Sequence, residues 1–187
     1  MDRKDFLKRT GGSFALASLA GASYAPEALA GDEERRRRFF FVAVSKADTV
    51  AGVDRIAMDG GGRFDAKEGE VKGSGNFTHF DNAPPGTPKP IIAFGRWKVT
   101  DFVSFGHQVG TWGAIEASIL ELLVELHPVG GNVVKGVTLE AVCNIGPAGL
   151  FTGEEEGFVL TIPGAPFGSF KPLVPAGGLT HISKPGF

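Results

Sequence analysis

Cysteine is almost absent from this 187-residue chain; Cys143 is the only one. A single cysteine excludes an internal disulfide and any metal or iron–sulfur site built from several thiolates, so packing has to supply the stability. Tyrosine occurs once against 16 phenylalanines, which predicts an interior that is aromatic but short of phenol hydroxyls. After residue 30 no apolar run reaches the roughly 20 residues that a membrane helix requires. An excess of one charge is lacking too. With 19 Lys and Arg against 21 Asp and Glu, the formal net charge is −2, and such a balance does not point to nucleic acid as a partner. The four histidines, His79, His107, His127 and His181, form no H-x-H or H-E-x-x-H pair. There is no Gly-x-Ser-x-Gly motif, phosphate loop or dinucleotide fingerprint. No metal and no cofactor is therefore expected. A metal site would have to be assembled from distant strands, with His79, Asp81 and His107 as its members. Residues 59–70 carry acids at both ends, but Gly61 and Arg63 stand at the third and fifth positions of a calcium loop and Phe64 where its glycine belongs. An acidic hairpin accounts for them.

Glycine and proline are plentiful, 28 and 12 residues, and are spread along the chain as turn punctuation. That distribution suits many short connections between strands. The most regular pattern runs over residues 118–145. In its first arm Leu120, Leu122, Val124 and Leu126 fall on one face, with Glu121 and Glu125 on the other. In its second arm Val137, Leu139, Ala141, Cys143 and Ile145 alternate with Thr138, Glu140 and Asn144. A period of two is the pattern of half-buried strands. Between the arms Pro128 cannot donate to a ladder, and Gly130, Gly131 and Asn132 tolerate a chain reversal. The stretch predicts a β-hairpin at the centre of an antiparallel sheet. A helix is the rival for the first arm, through the spacing of Ile115, Ile119, Leu122 and Leu126.

Residues 1–30 have the make-up of an export signal. Arg3, Lys4, Lys8 and Arg9 form a basic start, residues 14–22 a mildly apolar stretch, and Ala28-Leu29-Ala30 a small-x-small cleavage site. Asp2-Arg3-Lys4-Asp5-Phe6-Leu7-Lys8 resembles the twin-arginine signal, with Lys4 in place of the second arginine. The resemblance implies a bacterial protein, folded first and then exported to periplasm, cell wall or medium. An ordinary secretory signal would lead to the same compartment. Cleavage near Ala30 leaves enough chain for one domain. Residues 31–38, GDEERRRR, read as a charged lead-in, and residues 39–187 as the β domain with a Pro- and Gly-rich tail.

Strand candidates are residues 39–46, 53–58 and 62–65, the last two forming a hairpin around the glycines at 60–62. Residues 71–81 follow, with a bend or bulge at Gly73 and Gly75, then 91–105 as one bent strand or two, 158–162 and 179–183. Residues 83–90 contain four prolines and read as a loop, and residues 106–113 as a link. Seven to nine short strands without a convincing helix predict an all-β fold, a single antiparallel β-barrel of about eight strands whose closure removes exposed edges. A β-sandwich is the alternative. Val71-Lys72-Gly73-Ser74-Gly75-Asn76-Phe77 resembles a strand of the dirigent proteins and the allene-oxide-cyclase-like barrels. That resemblance implies an eight-stranded barrel around a hydrophobic cavity, and it carries over no catalytic residue.

Two polar side chains fall in otherwise apolar rows: Asp101 among Trp97, Val99, Val103 and Phe105, and His79 in the row of Val71 and Phe77. A carboxyl in an apolar cavity has a raised pKa and exchanges protons near neutrality, so Asp101 and His79 form the candidate acid–base pair. Trp97, Phe105, Phe77, Trp112 and Cys143 are the candidate lining of the cavity, Cys143 as a small inert hydrophobe. Arg96 and Lys98 face the other way, into water. Glu154-Glu155-Glu156 reads as a solvated acidic turn. The leading expectation is an exported barrel that binds an apolar small molecule. One alternative is a cofactor-free isomerase or cyclase using the same cavity. The other is a structural or interaction protein of the envelope, in which residues 39–41 or a sheet edge meet a partner. A homo-oligomer is compatible with each.

Overall fold

A computed structural model describes residues 35–48, 54–81, 90–166, 168–174 and 178–187. Nine strands follow one another along the chain: β1 (Arg37–Ala47), β2 (Arg55–Asp65), β3 (Glu70–Phe80), β4 (Ile91–Trp112), β5 (Ile115–Pro128), β6 (Val134–Cys143), β7 (Gly157–Thr161), β8 (Ser169–Pro172) and β9 (Gly178–Ile182). Each strand from β2 to β7 pairs antiparallel with the next. β1 closes the sheet, pairing with β2 on one side and on the other with β8 along Ser45–Ala47 and β9 along Phe39–Ala43. The result is one antiparallel sheet closed as a barrel-like ring, not two stacked sheets. Among the described residues no α-helix occurs, and no helix is long and apolar enough to cross a membrane.

Alternation builds the β5–β6 half as the sequence predicts. Leu120 lies opposite Ala141, Leu122 opposite Leu139 and Val124 opposite Val137, and all six are fully buried. Burying a side chain of this size stabilises the fold by roughly 1.5–3 kcal/mol, so the hairpin forms a dense wall. Residues 129–133 make the reversal.

The β2–β3 half is built differently from expectation. β2 runs unbroken through Gly60, Gly61 and Gly62, which do not form a turn. Gly60 pairs with Gly75 and Gly62 with Gly73. A Cβ at Gly75 would stand 1.8 Å from the Asp59 carbonyl oxygen and 2.5 Å from Nε1 of Trp97, and one at Gly60 would stand 2.6 Å from Cζ2 of Trp97. Only glycine fits. Trp97 reaches from β4 beneath β3 and β2, donates Nε1–H to the Asp59 carbonyl at 2.8 Å and stacks on Phe41 at 5.7 Å. The reversal falls instead at residues 66–69, where one Asp65 carboxylate oxygen accepts the backbone N–H groups of Lys67 and Glu68. The bulge expected at Gly73 and Gly75 is absent there; the irregularity of β3 lies between His79 and Phe80.

Three further differences concern length. β4 is a single strand of 22 residues that absorbs the expected link, bent by register shifts against β5 at Val99/Asp101, Phe102/Ser104 and Gly106/Gly110. β1 begins at Arg37, so the end of the charged lead-in is strand. Arg37 is held by an ion pair with Glu116 and lies 4.6 Å over the Phe105 ring. The tail contributes β8, which its prolines and glycines concealed. The expected export signal at 1–30 and residues 82–89 of the expected proline-rich loop lie outside the described residues.

Candidate functional site

The ring does not bring the two candidate acid–base residues together. The first register shift of β4 inserts Thr100 as an extra residue, and it turns Asp101 to the outer face, where it is exposed opposite Leu123. There its Oδ1 accepts the Phe102 N–H. His79 does lie on the inner side, its side chain 14% exposed, with Nε2 3.2 Å from Oδ2 of Asp54 and the ring edge-on to Phe170 at 5.5 Å. Asp54, a residue the sequence does not single out, takes the place expected for Asp101.

Of the candidate lining residues, Trp97, Phe77 and Cys143 are buried inside. Phe105 is half-buried, 5.0 Å from Phe64. Trp112 is 56% exposed, because it lies beyond the last shift of β4, next to the turn into β5. The Cys143 thiol lies 3.4 Å from the Thr180 carbonyl, and burial pushes its pKa up to about 11. It is therefore a thiol at neutral pH and no nucleophile. Glu156 corrects the reading of the acidic turn. Its carboxylate accepts the N–H of Asn144 at 2.6 Å and of Thr180 at 2.8 Å, tying the β6–β7 connection to β9. Burial raises its pKa, and those two bonds pull it back down. Among the described residues, no group of three or more His, Cys, Asp or Glu side chains is placed to hold a metal ion.

The aromatic side chains occupy the middle of the ring themselves. Phe39 packs on Phe64 at 6.2 Å and Phe41 on Phe158 at 5.6 Å, and these four together with Trp97 and Phe170 are at most 2% exposed. An open trough of about 1070 Å³ lies instead on the outside, across β2, β3 and β4. In its floor Gly61, Gly62 and Gly73 leave the backbone bare, Ser74 adds a hydroxymethyl group, and Trp97 and Val99 lie buried beneath. Its walls are Arg38, Arg63, Lys72, Arg96, Lys98 and His127.

The register places these cations side by side. Arg38 lies directly opposite Arg63, and Arg63 directly opposite Lys72, so three neighbouring strands present like charges in one row. Directly opposed like charges repel at Cβ separations of about 5 Å. Among the described residues, none of the five Arg and Lys side chains is in an ion pair. No carboxylate lines the trough. The nearest acid by register, Glu125 opposite Lys98, is engaged elsewhere, 3.5 Å from Nζ of Lys135 and 3.4 Å from Nε2 of His127. That second contact lacks hydrogen-bond geometry, which leaves the His127 nitrogen without a hydrogen-bond partner at the trough wall.

Sequence reasoning placed Arg96 and Lys98 in water without joining them to Arg38, Arg63 and Lys72. Part of the signal was there: Arg96 and Lys98 occupy alternate positions of β4 and share its outer face, but joining them to Arg38, Arg63 and Lys72 takes the register of four strands. No protein-family model matches the chain, and no curated protein or solved structure is significantly similar to it.

Proposed function

We propose that this is an exported binding protein that holds an anionic ligand in the outer trough. The observation that carries the reading is the row Arg38, Arg63 and Lys72, three opposed cations without a carboxylate partner beside a bare glycine floor. Their mutual repulsion is a cost to the folded chain, and a bound anion removes it. The floor adds to this, because a ligand approaching Gly61 or Gly73 meets backbone and no side chain. Export is supported by the basic start, apolar stretch and small-x-small site of residues 1–30. An apolar ligand inside the ring, the first expectation from the sequence, would have to displace the stacked Phe41, Trp97 and Phe158. The outer site requires no such rearrangement.

Titration with inorganic tripolyphosphate at low salt tests the proposal. Wild type is expected to bind, with an affinity that falls steeply as salt rises. Arg63→Glu/Lys72→Glu is expected to bind at least tenfold more weakly, and equal affinity in the two proteins would overturn the assignment.

A second reading, cofactor-free acid–base catalysis, is favoured by one observation, the His79 and Asp54 pair against Phe170. A carboxylate beside an imidazole fixes the orientation of the ring. Under this reading Asp54→Asn abolishes turnover of a substrate while leaving tripolyphosphate binding intact.

A further inference from the structure

Beyond the trough, the outer face of β4 changes character along its length. Its outward residues run Phe94, Arg96, Lys98 in alternate positions, preceded by Ile92, the extra residue at the register shift opposite His79 and Phe80. Ile92 and Phe94 are each 52% exposed, and the cations that follow them are the trough wall. Phe94 does not stand alone. Its carbonyl accepts the N–H of Val129, which is 67% exposed in the β5–β6 reversal, and Ile91 and Val133 are exposed at the same end of the ring. Five large apolar side chains are thus exposed at one barrel end, next to the cationic wall on β4.

Scattered exposed apolar residues need no explanation, but a contiguous patch marks a contact surface. The neighbouring charge identifies the surface contacted. Apolar side chains that enter the boundary between headgroups and acyl chains, beside Lys and Arg that meet anionic headgroups, are the combination used by peripheral membrane proteins. We infer that this end of the ring docks on an anionic phospholipid bilayer, with Ile92, Phe94 and Val129 in the interface and Arg96 and Lys98 against the headgroups. The inference rests on reading the trough as an anion site, and it adds the source of the anion. An edge-on posture follows. The patch lies at the Phe80 end of β3; counted from Thr78, which pairs with Phe94, Lys72 lies six residues further along, with Arg63 opposite it, roughly 20 Å at the rise of a strand. The ring therefore lies obliquely, with the trough facing the lipid surface.

Co-sedimentation of the mature chain with vesicles separates the possibilities. Vesicles of phosphatidylglycerol and phosphatidylcholine are expected to bind the protein, pure phosphatidylcholine vesicles to bind it at least tenfold more weakly, and raised salt to release it. Ile92→Ser/Phe94→Ser is expected to lose at least tenfold in vesicle binding while keeping wild-type affinity for tripolyphosphate, since neither residue lines the trough. Equal binding of the double variant and wild type to the anionic vesicles would overturn the docking, as would tripolyphosphate binding without any vesicle binding; in both cases the trough remains an anion site. Loss of both bindings in wild type would overturn the trough as well. A wild-type dimer by light scattering that the double variant abolishes would assign the patch to a second copy, and it too would overturn the docking.

Discussion

In the hairpin of β5 and β6 the inward positions carry their own aliphatic side chains, whereas along β2 and β3 the inward positions 60, 62, 73 and 75 carry none. Both halves are equally sealed. The first is filled by local alternation, and the second by side chains from other strands: the Trp97 indole crosses from β4 to cover Gly60 and Gly75, and Phe39 and Val99 cover Gly73. The difference has an outward consequence. Where the strands supply their own core, they also carry ordinary outer residues. Where the sheet is bare backbone, the long chains of Arg38, Arg63 and Lys72 stand around an empty floor, and a trough results.

The comparison breaks most visibly at Trp97. Trp97→Ala removes the side chain that fills the space at Gly60 and Gly75 and leaves the Asp59 carbonyl without its indole donor, so a loss in the upper part of the roughly 3–5 kcal/mol range for a large aromatic is expected. Leu139→Ala, in the self-filled half, is expected to cost about 2–4 kcal/mol. Urea denaturation of both variants checks the order, and an equal loss would mean that the two halves are built alike. Gly75→Ala should come next, at about 3 kcal/mol, because its Cβ would meet a backbone carbonyl that cannot move aside. A thermal scan that finds it as stable as wild type would show the glycine pairs to be incidental.

The same contrast decided what could be read from the sequence. The β5–β6 hairpin was legible to the residue, because each arm states its own inward face. The closed antiparallel ring was legible from strand number and turn residues. The β2–β3 half was not, since consecutive glycines read as a turn when their partner is a tryptophan more than 20 positions away. Asp101 failed for another reason: one inserted residue, Thr100, reverses the faces until the second shift at Phe102/Ser104 restores them, and nothing in the local sequence marks a bulge. The trough needed both pieces of information, the register of four strands and the emptiness of the glycine positions. The net charge of −2 concealed it further, because an average over the chain says nothing of where cations gather.

On the outer side of the self-filled half, Glu121 lies opposite Glu140, the acidic counterpart of the trough. Burial first, and then the charges of Glu154 and Glu121, raise the pKa of Glu140 above its ordinary 4.5. A carboxyl whose folded pKa is raised binds its proton more tightly when folded, so stability is greatest below about 4.5 and declines as pH rises through the folded pKa. Glu140→Gln removes the titration. The variant is expected to be more stable than wild type at pH 7 and to show a flatter dependence between pH 4 and 7 in urea titrations. Parallel curves for the two proteins would mean that Glu140 is as well solvated folded as unfolded.

The smallest effect expected on stability is the most informative about the trough. Arg63 sits between Arg38 and Lys72, so Arg63→Gln relieves two unfavourable cross-strand neighbours at once while leaving the packing of the inner face untouched. Such pairs are worth about 0.2–1 kcal/mol each when opposed on a sheet, and solvent reduces the effect at an exposed site. A gain of a few tenths of a kcal/mol at low salt is therefore expected, and it should vanish near 1 M salt, where screening shortens the range of charge to about 3 Å. The same substitution should weaken tripolyphosphate binding. A residue that lowers stability and raises affinity is one the fold retains for its ligand. If Arg63→Gln instead lost stability at low salt, the arginine would be serving the sheet, and the row of cations would need no anion to explain it.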